Sequence, residues 1–341
     1  MIDRFRGNFA RYCVAAALAG AVAGTALPAW AASEQTSLAI PAYVVLFLPE
    51  YVAEDQHLWE SQDLDVKVTF IAGVGAMNAV ISGSTDFSLS SGGSLTRAAS
   101  HGQMLLAIAN MNNRNGQNIV FRKDEADAAH FDPKASLAER AKILKGKTIG
   151  IDAVQSVVHS IVRVVAKEAG LDPDSVTVAP MQPADTLSAF ARHAIDGFAG
   201  GPPWTQQVLT EGTAVLVADG GKGEPTQYNP IGSVMLVTQP QFCVQHRSIC
   251  VKMGHAMVLA DNFMHDHPQE TLAILKKRYQ TVDDKVLKAS YDAVMEMTPN
   301  PPVPDAVQLA NAENMNVAAG FMKPEEKLKS YDALFTTEFA K

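Results

Sequence analysis

The chain has 341 residues, of which 47% are hydrophobic and 19% are charged, and its formal net charge is −8 at pH 7. This length exceeds that of one ordinary domain and predicts two lobes. An acidic chain without clusters of lysine and arginine is a poor partner for nucleic acid or for an anionic membrane surface. We therefore expect the partner to be a small molecule or another protein.

Residues 1–31 have the pattern of a secretory signal peptide. Three arginines precede an apolar run over residues 14–27, and the small-x-small site Ala29-Trp30-Ala31 follows it. The run is too short and too rich in alanine and glycine for a membrane-spanning helix, which needs roughly 20 strongly apolar residues. We expect cleavage before Ala32 and release of the mature chain into the periplasm.

Beyond the leader, short apolar strands alternate with helix-like segments, a pattern that predicts an α/β fold with mostly parallel sheets flanked by helices. The almost wholly apolar run over residues 37–48 predicts the first strand, and a helix is predicted from Pro49 through Trp59. The next predicted elements are strand 65–70, helix 77–82, strand 86–89, a helix after Ser94, strand 104–111 and strand 118–122.

A charged, alanine-rich stretch over residues 123–142 interrupts this pattern, which then restarts. The predicted elements that follow are strand 148–152, helix 157–169, strand 175–179, helix 184–191, strand 196–199, strand 233–238 and a helical tail. We assign residues 36–120 to the first part of lobe 1 and residues 121–230 to lobe 2. Residues 231–341 are a return strand and a helical tail that complete lobe 1.

Two cysteines, Cys243 and Cys250, remain after cleavage of the leader, and an even number in an oxidising compartment favours a disulfide. On an unbroken helix, residues seven apart lie roughly 10 Å apart by rise alone, beyond the reach of a disulfide. A bridge therefore requires a break in the helix near Arg247-Ser248. The alternative is a pair of free, buried thiols.

The segment Leu-Lys-Gly-Lys-Thr-Ile-Gly, residues 144–150, resembles the second lobe of periplasmic solute-binding proteins. It is similar in particular to the alkanesulfonate, nitrate, taurine and thiamine-precursor binding family. Further similar segments, in the family's order, are residues 51–53, 81–87, 168–176, 182–185 and 194–197. Two segments depart from the family pattern: residues 200–204 replace a Glu-Pro pair, and His193-Ala194 replaces a glycine.

This resemblance covers nearly the whole mature chain and implies the two-lobed, type II periplasmic-binding-protein fold. It implies a monomer that closes on a small, anionic organic solute and delivers it to an ABC permease in the inner membrane. No cofactor and no metal are expected. The candidate solutes are sulfonates, nitrate-like anions, aromatic carboxylates and pyrimidine precursors.

In such a fold, the solute lies where the carboxyl ends of strands from both lobes meet. The turns there are rich in glycine and serine, and free N–H groups at helix N-termini favour an anionic or accepting group. The candidate ligand-binding residues are Glu50, Tyr51, Gly73, Gly75, Ser90, Ser91, Gly92, Ser94, Asn112, Gln155, Ser156, His159 and Trp204.

Each candidate also has a structural interpretation. A single serine in these turns can serve as an ordinary helix cap, Tyr51 and Trp204 can pack between helix and sheet, and His159 can be a packed helix histidine. The group of Asp261, His265 and His267 is interpreted as a surface helix end. Histidines two residues apart on a helix point to different faces, which is unsuited to binding one metal ion.

An enzyme of thiamine-precursor synthesis on the same fold is the main alternative, and a sensory ligand-binding module is a second. The sequence contains no Gly-x-Ser-x-Gly elbow, no Walker loop and no His-Glu-x-x-His motif. An export signal has no use in a cytosolic enzyme. We therefore predict a binding protein rather than an enzyme.

We predict that the exported protein begins at Ala32, because the basic start and the small-x-small site together specify cleavage there. Mass spectrometry of the exported protein should give the mass of residues 32–341. An intact Met1 on a cytoplasmic product would contradict this prediction and favour the enzyme.

Overall fold

A computed structural model describes residues 33–340. The predicted signal peptide lies outside the described residues. Within them, no helix combines the length and the apolar character needed to cross a membrane.

The strands are short and most are apolar. They are β1 (Glu34–Ile40), β2 (Leu64–Phe70), β3 (Phe87–Ser90), β4 (Leu106–Asn112), β5 (Asn118–Arg122), β6 (Thr148–Ile151), β7 (Thr177–Pro180), β8 (Gly197–Gly200), β9 (Ala214–Ala218) and β10 (Val234–Thr238).

The helices cover both sheets and form most of the C-terminal third of the chain. They are α1 (Leu48–Asp55), α2 (Leu58–Ser61), α3 (Gly75–Ile81), α4 (Gly92–Ser100), α5 (Lys123–Ala128), α6 (Leu137–Ala141), α7 (Val157–Glu168), α8 (Pro183–Ala191), α9 (Trp204–Thr210), α10 (Pro240–Gln245), α11 (Arg247–Asp266), α12 (Pro268–Arg278), α13 (Asp284–Met295) and α14 (Ala306–Ala319).

The strands form two five-stranded sheets with the same arrangement. The order is β2-β1-β3-β10-β4 in lobe 1 and β7-β6-β8-β5-β9 in lobe 2. In each sheet the fourth strand, β10 or β5, is antiparallel to both of its neighbours, and the other pairings are parallel. Both reversed strands are buried along their whole length, and their central residues are apolar, as expected inside a covered sheet. The prediction of two α/β lobes with mostly parallel sheets is confirmed.

The chain crosses from sheet to sheet between β4 and β5, over residues 113–117, and returns between β9 and β10, over residues 219–233. Because all of β5 pairs within the lobe 2 sheet, lobe 2 begins a few residues before the expected boundary at residue 121. The two lobes are therefore joined by two short connections at the same ends of their sheets.

Helix α14 contacts both lobes, whereas the sequence assigned the whole tail to lobe 1. Its Leu309 packs in a lobe 1 apolar cluster and its Met315 packs in the lobe 2 core. The Asn316 side chain donates to the Gly93 carbonyl of lobe 1 at 2.6 Å and accepts from the Ser160 hydroxyl of lobe 2 at 3.4 Å. The helix therefore forms a third link between the lobes.

The first predicted strand is too long. Strand β1 ends at Ile40, because Pro41 has no N–H group with which to continue the ladder. A 3-10 turn over residues 45–47 then leads into α1, which carries Pro49 in its first turn. The segment 41–47 is therefore a loop that ends in a 3-10 turn. The short elements α5, α6, α9 and β9 were not predicted from the sequence.

The structure joins Cys243 and Cys250 in a disulfide, with the two Cα atoms 5.6 Å apart. This distance is possible because the helix breaks at His246, between α10 and α11, one residue before the expected break. Both cysteines are buried in the lobe 1 core. The disulfide therefore fixes the angle at which the long helix α11 enters this core.

We predict that reducing the disulfide lowers the free energy of unfolding by about 2 to 3 kcal/mol, the chain-entropy value for so small a loop. Urea unfolding of the mature protein with and without dithiothreitol measures this difference. The matched control is the Cys243→Ala/Cys250→Ala double variant, whose stability should not respond to dithiothreitol. Two reactive thiols in unfolded, unreduced protein would contradict the bridge.

Candidate functional site

A cavity of about 90 Å³ lies between the lobes, where the carboxyl ends of β3 and β6 face each other. Six of the candidate residues line it: Gly73, Ser90, Ser91, Ser94, Ser156 and Trp204. Each of these six lies at the end of a strand, in a turn that follows a strand or at the start of a helix. The other seven candidates do not line this cavity.

On the lobe 1 side, β3 ends at Ser90 and Ser91 caps α4. The Ser91 hydroxyl accepts the Ser94 N–H at 3.1 Å and donates to the Ser94 hydroxyl, also at 3.1 Å. Ser91 is thus a helix cap and a cavity residue at once. Gly92 instead faces α14, since a Cβ atom there would lie 3.2 Å from Leu309.

On the lobe 2 side, Ser156 caps α7. Its hydroxyl donates to Asp152 Oδ1 at 2.5 Å and accepts the His159 N–H at 3.2 Å. The N–H groups of Val157 and Val158, in the first turn of α7, have no acceptor within residues 33–340. Both residues line the cavity, so this helix offers it two N–H donors.

Gln155 and His159 shape this turn from outside the cavity. Gln155 has a φ of 60°, and its N–H donates to His159 Nδ1 at 3.0 Å. Burial, together with nearby Arg163, lowers the pKa of His159 to about 4, so the ring is neutral and can accept this bond. His159 packs edge-on against Phe321, at 4.8 Å between ring centroids, and is the packed helix histidine that the sequence analysis weighed.

Glu50 and Tyr51 do not line the cavity. They lie in the predicted helix, here α1, but the strand before it ends at Ile40 rather than at residue 48, so the intervening loop separates them from the end of the strand. Tyr51 is buried, with its hydroxyl 3.2 Å from that of Tyr279 and its ring beneath the Arg278 guanidinium.

Glu50 is fully buried in the same helical layer, and neither of its carboxylate oxygens has a hydrogen-bond partner in the described chain. Burial raises the pKa of Glu50 to about 8, and the negative charge of Glu54 acts in the same direction. At neutral pH the folded protein therefore holds a protonated Glu50.

Gly75 and Asn112 also lie outside the cavity. Gly75 begins α3, where a Cβ atom would meet the Ile71 side chain at 3.1 Å. Asn112 is buried, and its side-chain amide donates to the Leu46 carbonyl at 2.9 Å. Asn112 thus holds the loop over residues 41–47, four of whose residues line the cavity in place of Glu50 and Tyr51.

Asp152 is a cavity residue that the sequence analysis missed. It directly follows the carboxyl end of β6, as Ser91 follows that of β3, and this was the signal that could have identified it. Besides Ser156, the Ala153 N–H donates to its Oδ1, at 2.7 Å. Burial raises the pKa of Asp152 above its usual value, and these two hydrogen bonds oppose that change.

The remaining wall is mainly apolar. Among the lining residues in the described part of the chain, Asp152 is the one with an ionisable side chain, and none is lysine or arginine. Hydroxyl groups come from Ser90, Ser91, Ser94, Ser156, Thr186 and Ser233. The cavity is therefore suited to a small molecule with an apolar body and a few hydrogen-bonding groups.

The lobes touch on both sides of this cavity. On one side Arg97 of lobe 1 donates to the Gln155 carbonyl of lobe 2 at 3.0 Å. On the other, Trp204 Nε1 of lobe 2 donates to the Tyr43 carbonyl of lobe 1 at 3.0 Å. Near the first contact, Gly73 approaches lobe 2 so closely that an added Cβ atom would lie 2.9 Å from the Ala153 Cβ atom.

The helix that carries Asp261, His265 and His267 holds no metal-binding group. In residues 33–340, no three His, Cys, Asp or Glu side chains are close enough together to bind a metal ion. Asp261 departs from the expected surface position, because it is fully buried without a side-chain hydrogen bond and burial raises its pKa. The Asp261 carbonyl lies 2.8 Å from His265 Nδ1.

Comparison with known proteins finds a match to the family model described as NMT1/THI5 like, over residues 45–271. No curated protein sequence matches the chain significantly.

Several solved structures share the fold. One from Bordetella bronchiseptica RB50 is 20% identical, with 90% of this chain and 95% of that one covered and a TM-score of 0.76. The alkanesulfonate-binding protein SsuA of Xanthomonas axonopodis pv. citri, bound to MOPS, is 18% identical, with a TM-score of 0.69. The match covers 90% of this chain and 100% of SsuA. The periplasmic nitrate-binding protein NrtA of Synechocystis PCC 6803 is 16% identical, with a TM-score of 0.59. The match covers 74% of this chain and 68% of NrtA. The chain therefore has the periplasmic-binding-protein fold.

The buried carboxyl of Glu50 gives a pH-dependent prediction. Its folded pKa of about 8 exceeds the usual 4.5, so unfolding releases its proton between these values and stability falls as the pH rises. We predict that Glu50→Leu removes this loss of stability. The free energy of unfolding of the variant should therefore rise relative to that of the wild type by up to about 1.4 kcal/mol per pH unit between those pKa values.

Urea unfolding of both proteins from pH 5 to pH 8 tests this prediction. The control is Glu296→Leu, which removes an exposed glutamate from the end of α13. Parallel pH profiles for wild type and Glu50→Leu would contradict a neutral, buried Glu50.

Proposed function

The chain belongs to the NMT1/THI5-like family, and from this premise we propose that it is an extracytoplasmic solute-binding protein. It captures a small organic solute between its lobes and delivers the solute to an ABC importer in the inner membrane. The observation that carries this proposal is the cavity between the lobes, which is lined by the N-termini of α4 and α7 and by serine hydroxyls. The sulfonate- and nitrate-binding proteins that share its fold support the same class of function.

The hydrogen-bonding groups of the cavity favour a solute with an accepting group. The free N–H groups of Val157 and Val158 lie at the positive end of the α7 dipole. Ser90, at the end of β3, and Ser91, the cap of α4, line the same cavity from lobe 1. Because no lysine or arginine lines the cavity in the described chain, the accepting group is held by neutral donors.

The side chains in the cavity favour binding over catalysis. A nucleophilic serine needs an adjacent base that can take its proton, and histidine is the usual one. Ser156 instead donates to the Asp152 carboxyl, and the nearby His159 points its Nδ1 at the Gln155 N–H, outside the cavity. These side chains stabilise a helix N-terminus and a turn.

Access to the cavity requires the lobes to move. A volume of about 90 Å³ between touching lobes is below the roughly 300 Å³ or more of typical ligand pockets, so a solute enters when the lobes part. The connections over residues 113–117 and 219–233 are the segments about which the lobes can rotate. We propose that rotation about them breaks the Arg97–Gln155 and Trp204–Tyr43 hydrogen bonds and that bound solute restores them.

We predict that Ser156→Trp prevents solute binding without unfolding either lobe, because the large ring fills the cavity at the N-terminus of α7. A thermal-shift screen over sulfonates, nitrate, aromatic carboxylates and pyrimidines identifies a solute for the wild type. A solute at a hundred times its Kd adds about 2.7 kcal/mol to the free energy of unfolding. The variant should unfold cooperatively and show no shift with that solute.

The matched control is Ser61→Trp, at an exposed serine of α2. Small-angle scattering should show a smaller radius of gyration for the wild type with solute than without it. Normal solute binding by Ser156→Trp, with an unchanged radius of gyration in the wild type, would place the binding site elsewhere.

A further inference from the structure

Asp152 has a role in the cavity that helix capping does not account for. The Ser156 hydroxyl and the Ala153 N–H both donate to its Oδ1 atom. No other residue of the described chain donates to Oδ2. These two bonds fix the plane of the carboxyl group and leave one oxygen available to a molecule in the cavity.

No cation compensates this carboxyl. Residues 33–340 contain no salt bridge to Asp152, and the cavity wall includes Val157, Val158, Pro183 and Thr186. Arg97 of lobe 1 reaches across to lobe 2 but donates to the Gln155 carbonyl. Because no other residue of the described chain donates to Oδ2, a hydrogen-bond donor supplied by a ligand would be favoured there.

The donors beside Asp152 restrict the ligand further. The Val157 and Val158 N–H groups belong to the same turn as the carboxyl and need an acceptor. This end of the cavity therefore presents two donors beside one acceptor. A primary amide matches it with its oxygen toward the N–H groups and its NH₂ toward Asp152, whereas a carboxylate or a sulfonate brings only acceptors.

We propose that Asp152 is a specificity-determining residue that selects solutes in which an N–H donor lies beside an acceptor, such as carboxamides, sulfonamides and amino-substituted nitrogen heterocycles. This inference rests on the proposed function, and it differs from the sequence-based expectation of an anionic solute. A carboxylate solute would place a negative charge against Asp152 without a lysine or arginine to offset it.

The test uses pairs of probes that share a carbon skeleton and differ in the donor. The pairs are benzamide and benzoate, pyridine-3-carboxamide and pyridine-3-carboxylate, and benzenesulfonamide and benzenesulfonate. Thermal shifts and titration calorimetry of the mature protein at pH 7 should show binding of at least one amide and weaker binding of its acid. Asp152→Asn should bind that amide about tenfold to a hundredfold more weakly, since the ligand N–H group loses the carboxyl oxygen that accepts it.

The control variant is Asp185→Asn, which changes an exposed aspartate in the first turn of α8, and it should bind the amide as the wild type does. Asp152→Ser is a second variant, in case the asparagine disturbs the turn, and cooperative unfolding of both variants verifies their fold. Binding of the acids alone, or unchanged amide binding in both Asp152 variants, would overturn the inference and leave the proposed function standing. Binding of none of the six probes, nor of any solute class in the broader screen, would overturn both.

Discussion

The geometry of the cleft depends on the packing of α14 between the two lobes. Leu309 and Met315 lie about two turns apart on this helix and are buried in different lobes. Asn316 joins the Gly93 carbonyl to the Ser160 hydroxyl, and Gly93 and Ser160 lie in the two helices whose N-termini face the cavity. The distance between α4 and α7 is therefore set by a third helix, which comes from near the end of the chain.

The second constraint is the early end of β1 at Pro41. With the strand stopped there, residues 41–47 form a wall of the cavity and α1 turns its Glu50 and Tyr51 into the helical layer of lobe 1. The loop is held from beneath by Asn112 and from across the cleft by the Trp204 indole. One proline thus decides which residues line the cavity and which become core.

The sequence predicted those features of the fold and site that depend on local patterns. Alternating strands and helices located the turn at Ser90 to Ser94 and the cap at Ser156, because turns after parallel strands come together whatever the details of packing. The face that a helix turns toward the cleft depends on tertiary packing, which the local sequence around His159 and Tyr51 does not reveal. Asp152 was missed because it was counted as the last residue of a strand, where its side chain had no assigned role. The double contact of α14 has no local signal, since its small and apolar residues fit either lobe equally well.

A cavity wall with neutral donors and one carboxyl group distinguishes between solutes in a particular way. N–H groups and hydroxyls keep their polarity at every physiological pH, so they orient a solute without attracting anions in general. An arginine in the same place would bind most small anions through its charge. With apolar walls and a single carboxyl, a mismatched solute leaves buried polar groups unpaired, and that cost discriminates more strongly than a difference in apolar contact does. Under the proposed role of Asp152, selection in this cleft comes from the order of donors and acceptors along one helix N-terminus.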